Sequence, residues 1–250
     1  MESTAFAYAG LTGNSLLDQL DTDGSRRLLA FSRMVRLGSN ETLHAPGEAV
    51  RHVYFPAGCV AAACAAGGAG ASVETALVGR EGLVGLAALL GGRRATELAL
   101  AVLPGDAVRV EAAALRTLFA ESAEWRRLVL RYYGALVRQV SLRAVCNTRH
   151  RLCERLATWL LALRGRADSD DLPLTQETAA RQLGVRRAGV NECVAYLESL
   201  GSVEHRRGRL RVLSREALAA AACACHEPLN EGVRRPERAA VLSPLRPRLT

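Results

Sequence analysis

No lysine occurs in the 250 residues. All 33 basic side chains are arginine, set against 25 acidic ones, for a formal net charge of +8 and a pI near 9.6. A GC-rich genome also writes arginine for lysine, so the sign of the balance says more than the residue type. A positive balance favours a polyanionic partner over an acidic-substrate pocket, and the arginine fork suits phosphates and guanine edges. Aromatic residues are scarce at 4%, so the core must rest on Leu, Val and Ala. No apolar run reaches the roughly 18 residues of a membrane span. Met1-Glu2-Ser3-Thr4 carries an acid and no basic stretch, which argues against a secretory leader. The seven cysteines (Cys59, Cys64, Cys146, Cys153, Cys193, Cys223 and Cys225) are odd in number and include no Cys-x-x-Cys pair; the closest two are Cys223 and Cys225. That count and spacing argue against a disulfide framework and against a zinc or other metal site. Cys146 reads as a small core residue, and the expected compartment is a reducing cytoplasm.

What is present is enough chain for two ordinary domains, with 49% hydrophobic and 23% charged residues, as in a globular protein. Residues 1–15 read as a flexible arm. Leu16 to Leu29, broken by Asp21-Thr22-Asp23-Gly24, predicts two short helices around a capped turn. From Met34 to Val110 the runs are short and Val-rich, for example His52-Val53-Tyr54-Phe55 and Ala107-Val108-Arg109-Val110. Pro46-Gly47, Gly67-Gly68, Gly91-Gly92 and Pro104-Gly105-Asp106 punctuate them. That pattern predicts a small barrel or sandwich, with Ala61 to Ala71 its least distinct strand. Helical texture begins at Glu111. Trp125, Val129, Tyr132, Tyr133, Leu136, Val140 and Ala144 recur at three and four, which predicts an amphipathic helix of about 20 residues able to pair with its own copy. Leu152, Leu156, Trp159, Leu160 and Leu163 mark another helix, followed by an acidic loop at Asp168-Ser169-Asp170-Asp171. Residues 226–250, with four prolines and few large apolar residues, read as a disordered tail.

The segment from Leu174 to Leu197 carries the most chemistry. Thr175 can cap a helix, Glu177 sits in its first turn, and Ala180 is small enough for a second helix to cross. Gly184 falls where a tight turn needs a left-handed residue. Val190, Val194 and Leu197 then face inward. Arg186, Arg187, Ala188, Gly189, Asn191 and Glu192 are left near the exposed start of the second helix, which enters the major groove in a helix-turn-helix. Val203 to Leu213 predicts a hairpin whose Arg206, Arg207 and Arg209 could lie along phosphates as a wing.

These features together resemble the Crp/Fnr family of bacterial transcription regulators. The resemblance spans about Leu16 to His226. It rests on His52-Val53-Tyr54-Phe55-Pro56, Val78-Gly79-Arg80-Glu81-Gly82-Leu83-Val84-Gly85, Cys146-Asn147, Arg155-Leu156-Ala157-Thr158-Trp159-Leu160-Leu161, Leu172-Pro173-Leu174-Thr175-Gln176-Glu177 and Leu183-Gly184-Val185-Arg186-Arg187. It implies an α+β chain: a cyclic-nucleotide-binding-like β-roll (16–120), a long dimerisation helix (121–147) and a C-terminal winged helix-turn-helix (148–225). It also implies a homodimer on double-stranded, palindromic DNA, no membrane association, and RNA polymerase as a further partner. By position, Thr175 and Gln176 match phosphate contacts and Arg187 a base-reading arginine. Ala188 replaces a frequent acid, and Glu192 replaces a further arginine, so Arg186 and Asn191 become the substitute readers.

The family's nucleotide-binding members imply Arg80, Glu81, Gly82, Arg94 and Thr96 as the effector-binding set here. The spacing of Arg94 and Thr96 is imperfect and Glu97 adds a negative charge, so a different small ligand, or none, is favoured over a cyclic nucleotide; no cofactor is expected. No cysteine precedes Cys59, which argues against the family's N-terminal iron–sulfur sensor, and lone His44 and His52 argue little for haem. No kinase glycine loop, P-loop or Ser/His/Asp set is present, so no catalytic residue is expected. The alternatives are a cyclic-nucleotide-responsive regulator proper and a nonspecific architectural DNA binder.

Overall fold

The computed structural model describes residues 12–67 and 72–230. A 3-10 turn at Leu17–Gln19 and helix α1 (Thr22–Leu29) open this portion, with the Asp21 carboxylate accepting from the Gly24 N–H at 2.7 Å. Seven strands follow: β1 (Ser32–Leu37), β2 (Thr42–His44), β3 (His52–Pro56), β4 (Val60–Ala66), β5 (Ser72–Val78), β6 (Leu98–Leu103) and β7 (Gly105–Glu111). They form two antiparallel sheets, ordered β1-β7-β3 and β2-β6-β4-β5. This is the expected β-roll. The arm expected over residues 1–15 does not reach its last residues, because Asn14 is fully buried and its Nδ2 donates to Pro56 O and Gly82 O. Residues 1–11 lie outside the described residues.

The roll has two cores. Between the sheets lie small side chains: Leu37, Cys59, Ala61, Val78, Ala99, Ala101 and Ala107. Outside the first sheet, Phe55, Val108 and Val110 pack against α2 (Ala112–Glu121) and the start of α3 (Ala123–Arg149), centred on a fully buried Trp125. The second sheet is also covered on its outer face. Val60, Ala62, Cys64, Leu77, Leu100 and Val102 join Leu156, Trp159, Leu160 and Leu163 of α4 (Leu152–Ala167) in one continuous cluster. β4 is therefore buried on both faces along most of its length, and its sequence shows no polar alternation.

The remaining elements make the winged helix-turn-helix: β8 (Asp171–Leu172), α5 (Gln176–Leu183), α6 (Arg187–Ser199), β9 (Val203–Arg206), β10 (Arg209–Val212) and α7 (Arg215–Ala221). The acidic loop is shorter than expected, because Asp171-Leu172 adds an edge strand to the wing, paired with β10. Residues 226–230 form a short helix, α8, rather than the start of a disordered tail. The rest of that tail, 231–250, lies outside the described residues.

Polar groups fasten this module to the roll. Glu74 of β5 is buried and accepts from Arg143 Nη2 of α3 at 2.8 Å and from Trp159 Nε1 of α4 at 2.6 Å. Burial pushes its carboxyl up, while Arg143 and Trp159 draw it back. β5 is a sheet edge, and the Gln139 side-chain amide of α3 satisfies it like a missing strand. It accepts from Leu77 N–H at 2.9 Å and donates to Leu77 O at 3.1 Å.

Candidate nucleic-acid interface

The Thr175 hydroxyl caps α5, accepting from Thr178 N–H at 3.0 Å. The turn after α5 closes with Gly184 N–H donating to Arg181 O and Val185 N–H to Ala180 O. Gly184 adopts φ 66°, and a Cβ there would come 2.6 Å from Val73 Cγ2 of β5. Glycine is required twice over at this point: for the left-handed backbone and for the close approach to the roll. α5 thus lies against β5, and α6 packs on α5 and α4. Val190, Val194 and Leu197 face the core, and Ala179 and Ala180 let the two helices cross closely.

That packing leaves Arg186, Arg187, Ala188, Asn191 and Glu192 exposed at the start of α6, on one side of the module. Gln176 is half-buried beside the exposed Thr175. Gly189 is half-buried, and a Cβ on it would meet Leu152 Cδ2 at 3.0 Å. Its lack of a side chain serves the α4–α6 contact. On the wing, Arg206, Arg207 and Arg209 are exposed. Arg206 pairs with Glu204 at 3.0 Å and Arg209 with Asp171 at 2.5 Å. Exposed pairs of this kind contribute about 0–1 kcal/mol, so phosphates can take these arginines over at little cost.

The effector-binding set is not brought together. The Arg80-Glu81-Gly82 turn is committed to structure. Glu81 accepts from Arg166 Nε of α4 at 2.7 Å in a largely buried pair and also from Gly79 N–H. The Gly82 N–H donates to Gly79 O, and a Cβ on Gly82 would overlap the Tyr132 ring at 2.4 Å. Arg94 is exposed and donates to Gly47 O at 2.7 Å. Thr96 alone reaches the cavity inside the roll, which it lines with His44, Val84, Glu97, Tyr132 and Leu136. That cavity measures about 40 Å³, far below the roughly 300 Å³ or more of small-molecule sites. Burial lowers the His44 pKa and raises that of Glu97. A phosphate has little room here in this arrangement, and the one buried ring nitrogen without a partner among the described lining residues is His44 Nε2.

Two cysteine features depart from the expectation drawn from spacing. Cys153 of α4 and Cys193 of α6 form a disulfide, with Cα atoms 4.9 Å apart and a sequence separation of 40. In addition, Cys146, His150, Cys223 and Cys225 converge at the far end of α3. Neither pairing is local, so a search for Cys-x-x-Cys misses both; the i, i+4 pair Cys146/His150 beside Cys223/Cys225 was the only sequence signal. Closing a loop of 40 residues constrains the unfolded chain by about 4 kcal/mol in the loop-entropy account. Reduction, or Cys193→Ser, is therefore expected to lower stability by about 2–4 kcal/mol, read from urea unfolding with and without reductant. Equal midpoints would contradict this.

The geometry defines a winged helix-turn-helix module fastened to a β-roll by a long helix. The family model described as the Crp-like helix-turn-helix domain matches residues 154–221. FixK2 from Bradyrhizobium japonicum superposes with a TM-score of 0.65 at 16% identity, covering 77% of this chain and 98% of that one. A CRP-family transcriptional regulator from Thermus thermophilus gives 0.63 at 22% identity, covering 75% and 97%. The c-di-GMP-responsive global regulator CLP of Xanthomonas campestris gives 0.63 at 14% identity, covering 78% and 100%. No curated protein matches the chain. Residues 154–221 are thus similar to the Crp-like helix-turn-helix domain, and the described residues share the fold of solved Crp/Fnr-type structures. Among the described residues no helix is long and apolar enough to cross a membrane.

Proposed function

We propose that the chain is a sequence-specific transcription regulator that binds a palindromic DNA site as a homodimer, reading bases from the start of α6. The observation that carries this reading is the exposed group of Arg186, Arg187 and Asn191 on the outer side of a packed helix-turn-helix, flanked by an arginine-rich wing. Arg187 can grip guanine O6 and N7, and Asn191 an adenine edge. Thr175, Gln176 and the wing arginines supply phosphate contacts that set position.

The dimer reading rests on α3. Its inward side chains, Trp125, Leu128 and Val129, pack on the roll. Leu130, Tyr133, Val137 and Val140 instead form a second stripe, 40–48% exposed, spaced at three and four. This is the seam of a two-stranded coiled coil. Two modules related by its two-fold axis would present their α6 helices to half-sites one helical turn apart.

Regulation in this reading is a shift between orientations of the winged helix on the roll, and an effector acts only by binding one of them better. The Glu74, Arg143 and Trp159 contacts and the Gly184–Val73 contact belong to the orientation described here. A cyclic nucleotide fits poorly with the small cavity and the occupied Arg80-Glu81-Gly82 turn. Selection of bound DNA from a random pool by the full chain tests the proposal. The expected result is a palindrome whose half-sites are centred about 10–10.5 base pairs apart or a multiple of that. Recovery of unrelated sequences with steep salt dependence would favour nonspecific architectural binding instead.

A further inference from the structure

The four side chains at the far end of α3 have the composition and the spacing of a metal centre. Cys146 lies in the last turn of α3 and His150 directly after it, so the two share one face of the helix end. Cys223 and Cys225 lie in the turn between α7 and α8. The four ligand atoms all lie within 4.8 Å of one another. Cys146 Sγ is 3.5 Å from Cys223 Sγ, and Cys225 Sγ is 3.7 Å from His150 Nδ1. A tetrahedral zinc with Zn–S near 2.3 Å and Zn–N near 2.0–2.1 Å places ligands about 3.8 Å (S to S) and about 3.6 Å (S to N) apart. The observed separations are close to both. A two-iron cluster divides its four ligands between two metals and needs a wider spread than this.

The surroundings suit an anionic centre. Three thiolates and one neutral imidazole around a divalent cation leave a charge of −1. Without a metal, burial and the neighbouring thiols push the Cys146 thiol up to about 12; Arg143 opposes this, and Arg155 supplies a second positive charge nearby. Each has a buried Nε with no hydrogen-bond partner among the described residues. The Thr158 hydroxyl lies 3.0 Å from Cys223 Sγ and accepts from Cys223 N–H at 3.2 Å, which fixes the ligand from a neighbouring helix. Cys146, Cys223 and Cys225 are buried together with Leu229, and His150 is half-buried at the rim.

We infer that Cys146, His150, Cys223 and Cys225 bind one structural zinc ion, which clasps the two ends of the winged helix-turn-helix to the base of the long helix. The first two ligands precede the module and the last two follow it, so the metal closes a loop around the entire DNA-binding domain. All four positions are filled by protein, as in a structural site rather than a catalytic one. The clasp fixes where the module leaves α3, so metal occupancy and the orientation of α6 are coupled.

The test uses the full chain, purified under reductant, stripped with a chelator and titrated with cobalt(II) and then zinc. The expected result is saturation at one metal per chain, with thiolate-to-cobalt charge transfer and the intense ligand-field bands of a tetrahedral site, both erased by zinc. Cys223→Ser and Cys146→Ser should abolish the tetrahedral spectrum, and His150→Ala should weaken binding by about 10-fold or more. Cys153→Ser/Cys193→Ser should keep it. The wild-type titration stands even if a ligand variant fails to fold. An octahedral cobalt spectrum, an iron–sulfur chromophore in the isolated protein, a Cys146–Cys223 disulfide under reductant, or loss of the signal only in the Cys153/Cys193 variant would each overturn the inference.

Discussion

Glu74→Ala is expected to cost the folded chain about 3–5 kcal/mol, as for the breaking of other buried ion pairs. The carboxylate is buried and receives Arg143 from α3 and Trp159 from α4. Removing it strands a guanidinium that is 5% exposed and an indole N–H that is fully buried, both already paid for in lost hydration. Replacing Arg143 as well, by Met, should recover much of the loss, because no buried charge then remains unpaired. The double variant would therefore be more stable than the sum of the single effects allows. Urea unfolding of the four proteins measures the cycle. A loss below about 1 kcal/mol for Glu74→Ala would mean that water reaches the pair and that it is no joint. Because buried Glu74 joins β5 to α3 and α4, a change in DNA affinity in this variant would report the orientation of the module.

Val137→Glu should weaken self-association by about 10,000-fold or more, since each dimer would bury two unpaired carboxylates at about 3 kcal/mol or more each. The side chain is 45% exposed and sits at the middle of the outer stripe, one turn from Tyr133 and Val140. A two-fold seam places each residue near its own copy, so one substitution acts twice. The fold should survive, because Val137 is outside both cores of the roll. Sedimentation of the variant at micromolar concentration is expected to give a monomer, with affinity for a half-site kept and affinity for the full palindrome reduced. An unchanged dimer would move the interface elsewhere.

The two halves of the chain were unequally legible. The helix-turn-helix could be placed to within a residue or two, because local rules carry it: Thr175 as a cap, Gly184 as a left-handed turn, and aliphatics at Val190, Val194 and Leu197. The long helix was legible as an element but not in its faces. Trp125 and Val129 point into the roll while Tyr133 and Val140 point outward, and a periodicity of three and four cannot separate stripes that both are apolar. β4 was indistinct because both of its faces are covered, which removes the alternation a strand is recognised by. That the effector set is dispersed was not legible, because Glu81 and Gly82 meet Arg166 and Tyr132, partners 85 and 50 residues away. The cysteine pairs were missed for the same reason: Cys153 meets Cys193, and Cys146 meets Cys223, only once the module has folded.

In the proposed function Arg187 reads a base from the start of α6. The direct measurement is the affinity of the wild-type chain and of Arg187→Ala for the selected palindrome, for the same site with its contacted guanines replaced, and for random duplex, all at one salt concentration. Arg187→Ala should lose about 1–3 kcal/mol per half-site on the palindrome, roughly 5- to 150-fold, while binding to random duplex changes little. The variant should also no longer distinguish the guanine-replaced site from the original. Equal affinity of wild type and variant for the palindrome, or an equal loss on all three duplexes, would contradict it.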